Sequence, residues 1–133
     1  MNRYIVLYLA TLVIFVALDA LFLGVIAKNF FYSRIGEMLG ELKPVPAVIF
    51  YLLYVTGVLI FVSGAPGTTS SSTLAFGALF GLFCYATFEL TALTLLKHWS
   101  WEVAILDIVW GAVATALSST AGLAIASWIT RGA

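Results

Sequence analysis

A chain of 133 residues that is 63% hydrophobic and 9% charged, with no net charge, cannot clothe a water-soluble surface; soluble domains carry roughly 25% charged residues. The same balance supplies no basic field, which excludes a nucleic-acid partner. The single cysteine, Cys84, excludes an intrachain disulfide.

The first apolar run, at about 4–27, follows Met1-Asn2-Arg3. It is longer than the roughly 7–15 residues of a secretory h-region, and no small-x-small cleavage site follows it, so it reads as a retained span ending at Lys28. Next, Ile35, Met38, Leu39 and Leu42 fall on one face of a helical projection and Arg34, Glu37 and Glu41 on the other. With Phe30, Phe31 and Tyr32 as an aromatic anchor, this pattern predicts a short helix in the membrane interface, an ordered loop across the helix ends being the alternative. The second span, about 46–62, starts at Pro46, whose missing amide hydrogen is harmless in a first turn. Residues 63–72 are small, polar and uncharged and predict a flexible loop. The third span, about 73–96, stops at Lys97-His98, and the fourth, about 103–129, stops before Arg131. Lipid offers no partner to an unpaired backbone group, and no segment shows the alternation of a barrel strand, so all four spans must be helices. The expected fold is an all-α integral membrane four-helix bundle, one domain over residues 1–133.

All six basic residues lie outside the spans. Lys28, Arg34, Lys43 and Lys97 share one side, Arg3 and Arg131 the other. The positive-inside rule makes the four-residue side cytoplasmic and leaves both termini outside.

Three of the six acids, Asp19, Glu89 and Asp107, lie inside spans. Each costs about 2.5–3.5 kcal/mol at a helix centre unless partnered. Counted from Lys28, Lys97 and Glu102 at the helical rise, all three fall about 8–14 Å from one membrane surface, in a single layer. Tyr51 and Tyr54 on the second span reach a similar depth. Tyr85 precedes Glu89 by one turn, and Trp110 follows Asp107 by three residues. No Lys or Arg lies in the layer, so its carboxyls are either protonated, or face a hydrated cleft, or bind a cation. A purely structural role is the alternative, with protonated acids hydrogen-bonded to Tyr51, Tyr54 or Tyr85 between helices. Gly77-x-x-x-Gly81 on the third span and Gly111, Thr115, Ser118 and Gly122 on the fourth allow close helix approach, within the protomer or to another copy. His98, beside Trp99 and Trp101, reads as interfacial. No His-x-x-His or Cys-x-x-Cys pair supports a metal site. Nor is there a phosphate-binding loop, a nucleophile elbow or a dinucleotide fingerprint that would call for a cofactor.

Five segments occur in order: Tyr8-Leu9-Ala10-Thr11-Leu12, Leu18-Asp19-Ala20-Leu21-Phe22-Leu23-Gly24, Phe50-Tyr51-Leu52-Leu53-Tyr54, Tyr85-Ala86-Thr87-Phe88-Glu89-Leu90-Thr91 and Leu106-Asp107-Ile108-Val109-Trp110-Gly111. Together they resemble the domain-of-unknown-function family 2177 of small bacterial inner-membrane proteins. The resemblance implies a four-span bacterial inner-membrane protein and no particular activity. Where the family pattern has Asp this chain has Glu89, which keeps the acid. Where it has Asn this chain has Ala92, which loses the amide.

The acidic layer therefore points first to a small transporter or membrane binding protein that takes a proton, a cation or a proton-coupled small-molecule ligand from the cytoplasmic side. Four helices enclose only a narrow pathway, which makes a homo-oligomer a further expectation. An accessory subunit docking through its small-residue faces is the second reading. An enzyme acting on lipid, with Asp19, Glu89 and Asp107 as acid and base groups, is the third. Topology is directly testable: in a background lacking Cys84, a cysteine at Ser70 is expected to react only with reagent added outside. Modification only from the cytoplasmic side would invert the assignment.

Overall fold

The computed structural model describes residues 2–36 and 43–132. Every regular element among them is helical. The first long helix, α1 (Asn2–Leu21), runs into a π-helical turn at Phe22–Ile26, and a short helix, α2 (Lys28–Ile35), follows. Helix α3 (Pro44–Val58) ends in a second π-helical turn, Leu59–Ser63, before α4 (Ser70–Leu95) and α5 (Trp101–Gly132). Four stretches are long and apolar enough to cross a membrane: Arg3–Val25, Pro44–Ser63, Ser70–Leu95 and Trp101–Thr130. The chain is an all-α membrane helix bundle.

Local chemistry sets the helix ends. Thr69 caps α4 reciprocally with Ser72, each side chain meeting the other's backbone amide. Ser100 Oγ accepts from the amides of Glu102 and Val103 at 3.1 and 3.4 Å and so caps α5. Pro44 stands in the first turn of α3, where no partner for its nitrogen is needed. Both π-helical turns close on a backbone bond spanning five residues, Ala27 N–H to Phe22 O at 2.7 Å and Gly64 N–H to Leu59 O at 2.8 Å. At Gly64 a β-carbon would strike the Leu59 carbonyl, which is why glycine stands there.

Helix α5 is the spine. Its most extensive contact is with α4, then with α1. Small residues permit both. A β-carbon on Gly77 would meet Ser119 and Ala116, one on Gly81 would strike the Gly111 carbonyl, and one on Gly122 would strike Thr11. These are the close approaches anticipated for small-residue faces, and here they are made inside the protomer. Helix α3 is held differently, by bulk: Phe15, Tyr54, Val58, Val62 and Ala114 form its buried core with the neighbouring helices. Its backbone approaches α1 over Pro44–Val58, but comes close to α4 and α5 through Leu59–Ser63. Toward Pro44 it stands away from the bundle, with Val45, Val48 and Ile49 more than half exposed.

The connection between the first two spans begins as a helix, α2, whose Ile35 is buried and whose Phe31 turns inward, edge-on to Phe22 at 6.0 Å. Tyr32 remains exposed, as an interfacial anchor would be. Glu37, Met38, Leu39, Glu41 and Leu42, the rest of the amphipathic pattern, lie outside the described residues.

The α4–α5 contact makes a sharp prediction. Gly81→Ala must force the two backbones apart, and overpacking of this kind costs about 1–3 kcal/mol. Alanine at the exposed Gly24, where a β-carbon meets nothing within 4 Å, should cost less than half as much. Thermal unfolding of the two variants in the same detergent measures the difference.

Candidate functional site

The three intramembrane acids are presented by three different helices, Asp19 by α1, Glu89 by α4 and Asp107 by α5. All three line one cavity of about 600 Å³. Among the described residues its wall also carries six aromatic rings, from Phe31, Phe50, Tyr54, Tyr85, Phe88 and Trp99, and no Lys or Arg.

Asp19 is fully engaged. The Tyr51 hydroxyl donates to its Oδ2 at 2.5 Å and the Trp110 indole N–H to its Oδ1 at 3.2 Å. One carboxyl thus ties α1 to α3 and α5. Trp110 is held for this by Phe22, on which it stacks with ring centres 4.3 Å apart and planes 4° from parallel. Phe22 opens the π-helical turn, three residues after Asp19.

Glu89 and Asp107 are arranged differently. Glu89 is 1% exposed, and its Oε1 accepts the Trp99 indole N–H at 2.6 Å. Asp107 of α5 lines the same wall. Glu89 thus differs from Asp19: among the described residues one side-chain donor meets its carboxyl, where Asp19 has two.

Tyr54 and Tyr85 complete the polar part of the wall. The Tyr54 hydroxyl and Thr115 Oγ1 are 2.6 Å apart in a hydrogen bond that either can donate. Tyr85 lies edge-on to Tyr54 at 6.1 Å, with its ring over Gly111, where a β-carbon would collide with it. Of the residues selected from sequence, Asp19, Glu89, Asp107, Tyr54 and Tyr85 are on the wall. Tyr51 and Trp110 stand behind it and hold Asp19. Among the described residues no three His, Cys, Asp or Glu side chains gather as a set able to hold a metal ion.

Sequence reading passed over Trp99, which was placed in the interface with His98, and the rings of Phe31, Phe50 and Phe88. For Trp99 a signal existed. Only residues 96–100 separate α4 from α5, so a side chain there stays near the last turns of α4, where Glu89 lies. For the phenylalanines none existed, since an apolar ring on a membrane helix faces lipid and cavity with equal ease.

At the charged end of the bundle, Arg34 of α2 pairs with Glu102 of α5 at 3.0 Å, while its guanidinium lies 3.8 Å above the Phe30 ring centre. This pair holds α2, with Phe31 and Ile35, across the end of the cavity.

The profile of a family described as a predicted membrane protein, DUF2177, matches residues 4–124 of the chain. No curated protein and no solved structure matches it.

The Asp19 junction is testable apart from any ligand. Tyr51→Phe removes one donor and keeps the ring, and should cost about 1–2 kcal/mol, the scale of an interhelical hydrogen bond in a membrane. Trp110→Phe should cost at least as much. The double variant should depart from additivity, because both donors serve one carboxyl. Unfolding free energies of the four proteins decide this, and strict additivity would argue against a shared junction.

Proposed function

Because the chain belongs to the domain-of-unknown-function family 2177, whose description stops at a predicted membrane protein, we propose its function from the site itself: a small transporter or membrane binding protein that takes up an organic cation in exchange for the proton shared by Glu89 and Asp107. The observation that carries this reading is that two carboxyls from different helices, Glu89 and Asp107, stand on the wall of an otherwise aromatic and apolar cavity. A cavity of about 600 Å³ suits a small molecule; such sites run from about 300 to 1,000 Å³. Aromatic faces attract cations, most strongly when desolvated. With no Lys or Arg on the wall, the ligand itself supplies the positive charge.

The exchange balances. With one proton between them, the two carboxyls carry a charge of −1. When a monovalent cation binds and that proton leaves, they carry −2 against the ligand's +1, and the sum is again −1. The site thus alternates between states of equal net charge, which avoids the cost of adding charge in a low-dielectric interior. The charge distribution and the family resemblance support a bacterial inner membrane with both termini outside, which puts the cavity on the cytoplasmic side. The accessory-subunit reading loses its motive, since the small-residue faces that would bind a partner are occupied by packing within the protomer.

Calorimetric titration with tetraphenylphosphonium, in buffers of different ionisation enthalpy, tests the proposal. Binding should release about one proton per cation, and affinity should rise with pH by up to about tenfold per unit, as linkage to one released proton requires. The uncharged analogue triphenylphosphine oxide should bind far more weakly. Glu89→Gln keeps the side chain's size and hydrogen-bonding capacity and removes the exchangeable proton. It should unfold within about 1–2 kcal/mol of the parent protein and lose both proton release and most of the affinity. Glu89→Asp should be milder. A well-folded Gln variant with undiminished, pH-dependent binding would falsify the proton-exchange role.

A further inference from the structure

We propose that the ligand reaches the cavity sideways, from the hydrocarbon of the membrane, through the gap between α3 and α4 flanked by Phe50 and Phe88. The inference rests on the cation-exchange reading and narrows its substrate class to cations that partition into a bilayer.

Among the described residues, contacts stand across the other sides of the cavity. At the charged end, α2 lies across the cavity, with Ile35 4% exposed and Arg34 paired to Glu102 at 3.0 Å. Beside it the α4–α5 connection is shut by Trp99, whose indole is bound to Glu89. The α4–α5 side is a seam of glycines in contact with the facing backbone, and the α1–α5 side is closed where Trp110 bonds Asp19 and stacks on Phe22. The α1–α3 side is bridged by Tyr51 to Asp19 and by the Tyr8 hydroxyl, which donates to the Leu52 carbonyl at 2.8 Å.

Between α3 and α4 the arrangement is different. They meet through Leu59–Ser63, and rings carry the contact one stage further, Phe61 to Phe80 at 6.0 Å and Tyr54 to Phe80 at 5.5 Å. Beyond Tyr54, toward Pro44, α3 parts from α4 while Tyr51 still holds it to α1. Leu23, on the turn after α1, is a wall residue 44% exposed; at the α3–α4 gap Phe50 is 43% exposed and Phe88 58%, yet both line the cavity. A side chain that is at once cavity wall and outer surface marks a mouth, and this one lies on the lipid-facing flank.

The chemistry of the route selects the ligand. A hydrated inorganic ion would have to shed its water against two phenylalanines before reaching a carboxyl. A cation with an apolar body is already dehydrated in the bilayer interior, passes the rings at little cost, and finds its charge partners beyond them at Glu89 and Asp107.

The test uses the full-length protein in phosphatidylcholine nanodiscs, with radiolabelled tetraphenylphosphonium as probe. Phe50→Cys and Phe88→Cys are combined with Cys84→Ala, and the two thiols are bridged with reducible bis-methanethiosulfonate linkers of graded length. Exchange of bound probe is followed before bridging, after bridging and after reduction of the same sample, so the sample is its own reference. Bridging should slow exchange at least tenfold, and reduction should restore it. A second protein carries Arg34→Cys and Glu102→Cys in the Cys84→Ala background; bridging α2 to α5 there should change exchange less than twofold. The reverse pattern, or unchanged exchange across a bridged α3–α4 gap, overturns lateral access while leaving cation binding intact. Absence of Glu89-dependent probe binding in the unmodified protein overturns the cation-exchange reading, and the access route with it.

Discussion

A carboxyl group placed in hydrocarbon needs a hydrogen-bond donor, because lipid supplies none and each unpartnered acid weighs several kcal/mol against insertion. The bundle is arranged around two answers to that demand. For Asp19 the donors are fixed: a tyrosine hydroxyl from one helix and an indole from another. For Glu89 one donor is fixed, the Trp99 indole, and its carboxyl stands on the cavity wall together with that of Asp107. The first answer makes a joint between helices. The second leaves two carboxyls facing a cavity.

Both answers depend on how closely the helices approach. Tyr85 reaches the cavity wall because Gly111 leaves space for its ring, and Gly77 and Gly81 bring α4, which carries Glu89, into backbone contact with α5, which carries Asp107. A chain with larger residues at these positions would hold the same acids farther apart. The glycines far from the acids are thus part of what defines them chemically. In the same way the Phe22 stack orients Trp110, which in turn satisfies Asp19.

Much of this was legible in the sequence, for identifiable reasons. Long apolar runs force membrane helices, so the bundle followed from hydropathy alone. That Asp19, Glu89 and Asp107 share one level of the bundle, where they line one cavity, followed from counting along the helices, because charged residues mark the expected water boundary. Which acid pairs with which did not follow. Trp110 lies near Asp107 along the chain, yet it serves Asp19 on another helix, and helical spacing carries no information about a neighbouring helix's rotation. The interior placement of Phe31 was likewise hidden, since an aromatic triplet after a span reads equally well as an interfacial anchor. The Arg34–Glu102 pair spans 68 residues and joins two groups that each looked solvent-facing. Short-range patterns reveal which residues belong at one level; the facing partner is decided by helix–helix geometry.

The glycine contact between α4 and α5 has a mechanical consequence. Where two helices touch through main chain, no change of side-chain rotamer alters their separation. The distance is set by atoms that cannot be retracted. Glu89 stands two turns along α4 from Gly81, and Asp107 one turn along α5 from Gly111, so the two carboxyls sit like the jaws of a calliper locked at one gauge. The separation of the two helices that carry these acids is then built into the backbone, and it would persist through any substitution that leaves those glycines in place.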